Sequence, residues 1–205
     1  MEEDKIIKSR RPVLYDRDIR EPLFDYLEER FGKTRMFEEK RIGRSRADVV
    51  MLTSRCLTGL EIKSDADTYD RLKRQVRDYD RFCDMNYVVV GRSHERHVEE
   101  HVPAHWGVLT VAADGTEIMI EEKRSAAANP RIKRERQLTL LWRPELNHLL
   151  ELNRLPKYKQ KSKKFVQQKL MEKVDWEVLK QQICEELFQR DYTLWDEMME
   201  EYAKS

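Results

Sequence analysis

Two short apolar runs, residues 47–52 and 57–63, lie four residues apart, with Thr53-Ser54-Arg55-Cys56 between them. Runs of this length, dominated by β-branched and other apolar residues and joined by so short a connection, predict a β-hairpin. Side chains alternate along a strand, so Glu61 and Lys63 share one face with Gly59, while Leu60 and Ile62 point into the opposite, buried face. Asp48, on the neighbouring strand, converges on the charged face. Gly59 keeps that face clear for something large to approach the backbone.

An acidic residue on one strand and a Glu-Ile-Lys triplet on the next suggest metal-assisted phosphodiester chemistry. A hard divalent cation, Mg2+ or Mn2+ in its place, takes carboxylate, carbonyl and water oxygens; Asp48, Glu61 and the Ile62 carbonyl would supply half of such a shell. Lys63 would orient a bound water or neutralise charge on the phosphate. Glu-x-Lys alone carries no information here, because it recurs at Glu3-Lys5, Glu38-Lys40 and Glu121-Lys123 in a chain that is 39% charged. Only Glu61-Lys63 sits in an apolar strand, follows a strand bearing Asp48, and leads into a helix. The plain alternative is a solvated strand face with a surface salt bridge.

Residues 16–31 read as an amphipathic helix with Ile19, Leu23, Tyr26 and Leu27 on one stripe and Gly32 closing it. Strand character follows at 36–42, and Gly43-Arg44-Ser45 turns into the Asp48 strand, which lets Glu38 or Glu39 lie beside Asp48. Beyond Lys63, Asp65 or Asp67 is expected to cap a helix whose Leu72, Val76, Tyr79 and Cys83 fall at helical spacing. Gln75 and Tyr79, four apart, share a side of it. Residues 86–91 and 107–111 read as further buried strands. The order of elements predicts an α/β fold, a mixed sheet flanked by helices.

The blocks GRSRADVVM, GLEIKSDADTYDRL and QVRDY resemble the PD-(D/E)XK nuclease superfamily, and within it the bacterial sce-type group, which is similar to MmcB-like DNA repair proteins. By that resemblance Asp48, Glu61 and Lys63 take the motif positions, with Ala47 where proline would stand. Gln75 and Tyr79 look like the Gln-xxx-Tyr pair of the RecB-like branch, and Glu38 or Glu39, with Glu38 favoured, is the upstream carboxylate. The resemblance implies a restriction-endonuclease-like domain over residues 1–125 and a helical C-terminal extension over 126–205. It also implies a Mg2+-dependent deoxyribonuclease acting in DNA repair or in a phage or mobile-element setting. A catalytically silent DNA-binding or assembly module is the alternative.

The extension opens on a linker-like SAAANPRIKRER, followed by helical patterns at 138–152, interrupted or initiated at Pro144, and at 175–192. Residues 154–173 hold eight basic residues and one acidic, and residues 174–205 nine acidic and three basic. Lys157, Lys159, Lys161, Lys163 and Lys164, interleaved with Tyr158 and Phe165, are candidates for tracking a nucleic-acid backbone; pairing with the acidic tail is the alternative. Arg46 contacts phosphate or pairs with Glu38 or Glu39, and Arg71 is a further phosphate candidate. With a net charge of +1, any contact with DNA must be a local patch. His94, His97, His101 and His105 recur at roughly helical spacing and read as an exposed polar helix rather than a metal site. Three cysteines without metal or redox spacing, no membrane-length apolar run and no signal-peptide core predict a cytoplasmic protein without a membrane association.

Overall fold

The computed structural model describes residues 13–114 and 117–190. A first helix α1 (Asp16–Phe31) leads into strands β1 (Arg35–Ile42), β2 (Ser45–Leu52) and β3 (Leu57–Lys63). Helix α2 (Leu72–Phe82), strand β4 (Met85–Gly91), the single turn α3 (Val98–His101) and strands β5 (Gly107–Asp114) and β6 (Glu117–Arg124) follow. The chain continues as α4 (Arg134–Thr139), α5 (Arg143–Leu152), α6 (Lys163–Lys173) and α7 (Trp176–Gln189). The six strands form one sheet in sequence order. Pairs β3–β4 and β4–β5 are parallel and the others antiparallel, so the expected mixed α/β sheet flanked by helices, with a helical C-terminal extension, is what the chain forms.

Two apolar clusters sandwich the sheet. On one side α1 lays Ile19, Leu23 and Leu27 over Met51, Leu60, Ile62 and Val89. On the other, α2 and the C-terminal helices pack Leu72, Tyr79, Leu138, Leu146, Leu170 and Leu179 against Val50, Val88, Val90 and Val108. β3 is buried along its whole length because it is central and covered on both faces.

Three local expectations are corrected. Helix α2 begins at Leu72, with Arg71 as its N-cap, and not near residue 65 or 67. Asp67 accepts instead from the Ser64 amide and hydroxyl, and Asp65 from Leu14 N–H and from Ser93 N–H and hydroxyl; these carboxylates satisfy loop amides before any helix starts. The stretch read as a linker, residues 125–136, ends inside α4, which starts at Arg134, so the pattern expected as one helix from 138 to 152 is split between α4 and α5. Strand β6 was not expected: its outward residues, Glu117, Met119, Glu121 and Lys123, hide a strand alternation that its inward Ile118 and Ile120 complete. Pro144 does start α5, where its missing N–H costs nothing.

Candidate functional site

Asp48, Glu61 and Lys63 do meet. Register pairs Val49 with Leu60 and Val50 with Gly59, which sets Asp48 across from Glu61 on the α2 side of the sheet. Lys63 Nζ donates to Glu61 at 2.5 Å, and the Ile62 N–H donates to Asp48 Oδ2 at 2.7 Å. The Tyr79 hydroxyl donates to Glu61 Oε2 at 2.9 Å and accepts from the Asp48 N–H at 3.1 Å. Burial holds the Glu61 carboxyl above its ordinary range. Burial and then the neighbouring Glu61 charge push Asp48 up to about 7.

The charged face is not a surface. Glu61 is wholly buried and Lys63 nearly so, because α2 lies over them. The large group that Gly59 admits is the protein's own: a Cβ there would stand 2.4 Å from Tyr79 Cδ1 and 2.9 Å from Asn86 Oδ1. Ile62 is buried in the α1 cluster, and its N–H is committed to Asp48. Gln75 is half-buried on α2, and its Oε1 has no hydrogen-bond partner among the described residues.

Glu38 and Glu39 are held by a residue that sequence reasoning passed over. Arg20 of α1 donates to Asp16 at 2.6 Å, to Glu38 and Glu39 at 2.7 Å each, and to the Asp48 carbonyl at 3.2 Å. Adjacent strand residues ordinarily point to opposite faces; a left-handed φ of 54° at Glu39 lets both reach one guanidinium. Arg46 also pairs with Glu39. One guanidinium thus engages both upstream carboxylates. The signal for it was available, since Asp16 and Arg20 are four apart on the expected first helix.

A second feature is exposed. The solvent side of α2 presents Lys73, Arg74, Arg77 and Arg81, with Arg74, Arg77 and Arg81 three and four residues apart. Arg74, Arg77 and Arg81 line a cleft of about 590 Å³ with Arg44 from the β1–β2 turn and Arg136 from α4. Asp78 is its one carboxylate. It accepts from the Arg44 N–H at 3.2 Å and from the Ser45 hydroxyl at 2.7 Å, docking the hairpin tip on α2. Gly43, at φ 59°, is what lets the turn come so close, because a Cβ there would meet Asp78 Oδ1 at 2.8 Å. Among the described residues Arg81 comes within 4.0 Å of Asp78, and Arg44, Arg74, Arg77 and Arg136 form no ion pair.

The basic segment divides. Lys157 pairs with Glu151, and Lys163 donates to the Thr139 carbonyl at 3.2 Å. Tyr158 and Phe165 pack edge to face, 5.2 Å apart. Lys159, Lys161 and Lys164 are exposed, as is Arg71, and Lys164 lines a further cleft together with Arg136. The acidic residues from 191 onward, to which pairing with this segment was referred, lie outside the described residues.

The histidines do not form one helix face. Residues 98–101 make a single turn, His101 stacks on Tyr69 at 4.1 Å, and His105 bonds buried Asp80 at 3.0 Å.

Compared with known proteins, the chain matches the family model of Bacteriophage P4 protein cII over residues 10–203 and belongs to that family. No curated protein matches it. Among solved structures it is similar to Pyrococcus furiosus SfsA in complex with Ca2+, at 13% identity and a TM-score of 0.33. That match covers 57% of this chain, which spans 63% of the other. So distant a likeness carries no argument.

These findings overturn the PD-(D/E)XK assignment, and with it the DNA-repair nuclease, the hydrolase activity and the Mg2+ or Mn2+ cofactor. The family is that of the phage protein, and among the described residues no group of three His, Cys, Asp or Glu side chains is placed to hold a metal ion. The physical reason is visible: Glu61 is spent on Lys63 and Tyr79, Asp48 on the Ile62 amide, and Glu38 and Glu39 on Arg20. The expected ligands are engaged by partners from the protein itself. Among the described residues no helix is long and apolar enough to cross a membrane.

Proposed function

We propose that the protein is a DNA-binding module without turnover, holding the phosphate backbone on the arginine face of α2. The observation that carries this reading is the cleft itself, where five arginines face one aspartate in a chain whose net charge is +1. Guanidinium groups offer planar, paired donors that fit phosphate oxygens and stay charged at any physiological pH. Lys164, beside Arg136, extends the surface toward α6, and Lys159, Lys161 and Arg71 are secondary contacts. Glu39 pairs with Arg20 and Arg46 and Glu38 with Arg20, and they take no part. A cytoplasmic site of action agrees with three free cysteines, which suit a reducing compartment.

The test is fluorescence anisotropy with labelled DNA, comparing the wild type with an Arg74→Glu/Arg77→Glu variant. A loss of roughly tenfold or more is expected, because two attractive charges become repulsive. Binding that is absent in the wild type, or unmoved by the double reversal, would refute the proposal.

A further inference from the structure

The geometry points to duplex DNA, gripped through its backbone without reading of base sequence, as the ligand of the arginine cleft. This deepens the proposed DNA-binding function and rests on it.

The cations are spread in two dimensions. The row from Lys73 to Arg81 runs about 12 Å along α2 at roughly 1.5 Å per residue. Arg44 from the hairpin turn and Arg136 from α4 line the same cleft, off the α2 row. That row matches the roughly 12 Å width of a major groove, so its ends can reach phosphates on both strands. Double-stranded DNA also offers a phosphate every ~1.7 Å of axis, about twice the density of one strand, which suits a broad patch better than a thread would.

Stacking platforms for a single strand are missing from the cleft. Its one aromatic, Phe82, is 5% exposed. The exposed rings among the described residues, Tyr15 and Phe31, flank α1 on the other side of the sheet. Proteins that hold single strands without sequence preference set ring faces along a basic groove.

Sequence reading is also disfavoured. Helix α2 forms part of a recess, flanked by the hairpin tip and α4, and half of its circumference is buried in the sheet core. A recessed helix cannot enter a groove to present side chains to base edges. Phosphates are what its guanidiniums can reach.

Anisotropy titrations of the full chain with a duplex of about 30 base pairs, one strand of that duplex, and a duplex of scrambled sequence test this across a salt series. The duplex should bind at least about fivefold tighter than the strand, and the two duplexes should agree within about twofold. Log affinity should fall against log salt with a slope of about −4 to −5 for five phosphates, and Arg77→Ala should reduce that slope by about 1. Equal or tighter binding of the strand, still weakened by Arg77→Ala, would overturn the duplex assignment while leaving DNA binding intact. A preference of tenfold or more for one duplex sequence would overturn backbone-only recognition. No binding to either form, or binding indifferent to Arg77→Ala and Arg81→Ala in variants with an unchanged circular dichroism spectrum, would sink both this inference and the function beneath it.

Discussion

The Tyr79 hydroxyl sits 2.9 Å from Glu61 Oε2, under a ring that fills the space Gly59 leaves open. One phenol therefore joins α2 to two strands, through Glu61 on β3 and the Asp48 N–H on β2. Tyr79→Phe should leave a buried carboxylate oxygen and a strand amide short of a partner, at a cost of about 1–3 kcal/mol in urea denaturation. Duplex affinity should stay within about twofold of the wild type. A folded variant that has lost its DNA affinity would tie this network to binding after all.

Gly59→Ala is expected to cost about 1–3 kcal/mol, because the new methyl must displace a ring held on all sides. Thermal unfolding gives the answer, and an unchanged midpoint would show that α2 can shift outward at little expense.

Asp48 gives a pH signature. Its folded-state pKa of about 7 lies above its ordinary value of 3.8, so between those limits the folded chain binds more protons than the unfolded one. With respect to this group stability is fully present below about pH 4 and is lost as pH rises through 7. Asp48→Asn keeps an acceptor for the Ile62 N–H and removes the buried charge, and should raise stability at pH 8 by on the order of 2 kcal/mol. The difference should shrink toward zero below pH 4, and Glu61 keeps its own slope. A variant less stable than the wild type at pH 8 would contradict the raised Asp48 pKa.

Glu145 and Arg190 form a buried two-point ion pair, 2.6 Å at each contact, with the guanidinium 3.9 Å from the Trp142 ring centroid. Glu145→Ala should cost about 3 kcal/mol, since it breaks a buried two-point ion pair and also removes a carboxylate acceptor of the Trp142 N–H. Adding Arg190→Met should recover part of that loss. Strict additivity of the two effects in chemical denaturation would argue against coupling.

Much of the frame was legible because its strands are short, apolar and tightly spaced: β3 and α1 fall at the residues expected. Asp48, Glu61 and Lys63 were correctly placed on one face. What their spacing could not convey is depth. Alternation says which residues share a side, and it is silent on whether a helix later in the chain covers that side. Tyr79, matched to the Gln-xxx-Tyr pair, packs over Glu61 and covers it. The arginine face was missed for a related reason: Arg44, Arg77 and Arg136 are far apart in sequence, and a charged-rich chain hides a local cluster until the hairpin, α2 and α4 are brought together. The first-turn pairing of Asp16 with Arg20 was within reach of the sequence, whereas Arg20's grip on Glu38 and Glu39 depends on a backbone angle that no pattern announces.

The face of the sheet under α2 also draws its cover from α4 to α7, and Leu138, Leu146, Leu170 and Leu179 come from helices that lie after the last strand. During translation, a nascent chain halted at Arg124 would hold the six strands of the sheet yet leave one greasy flank bare. Folding must wait for some sixty further residues to clear the ribosome, and a premature stop there would yield an aggregating fragment rather than a smaller working protein.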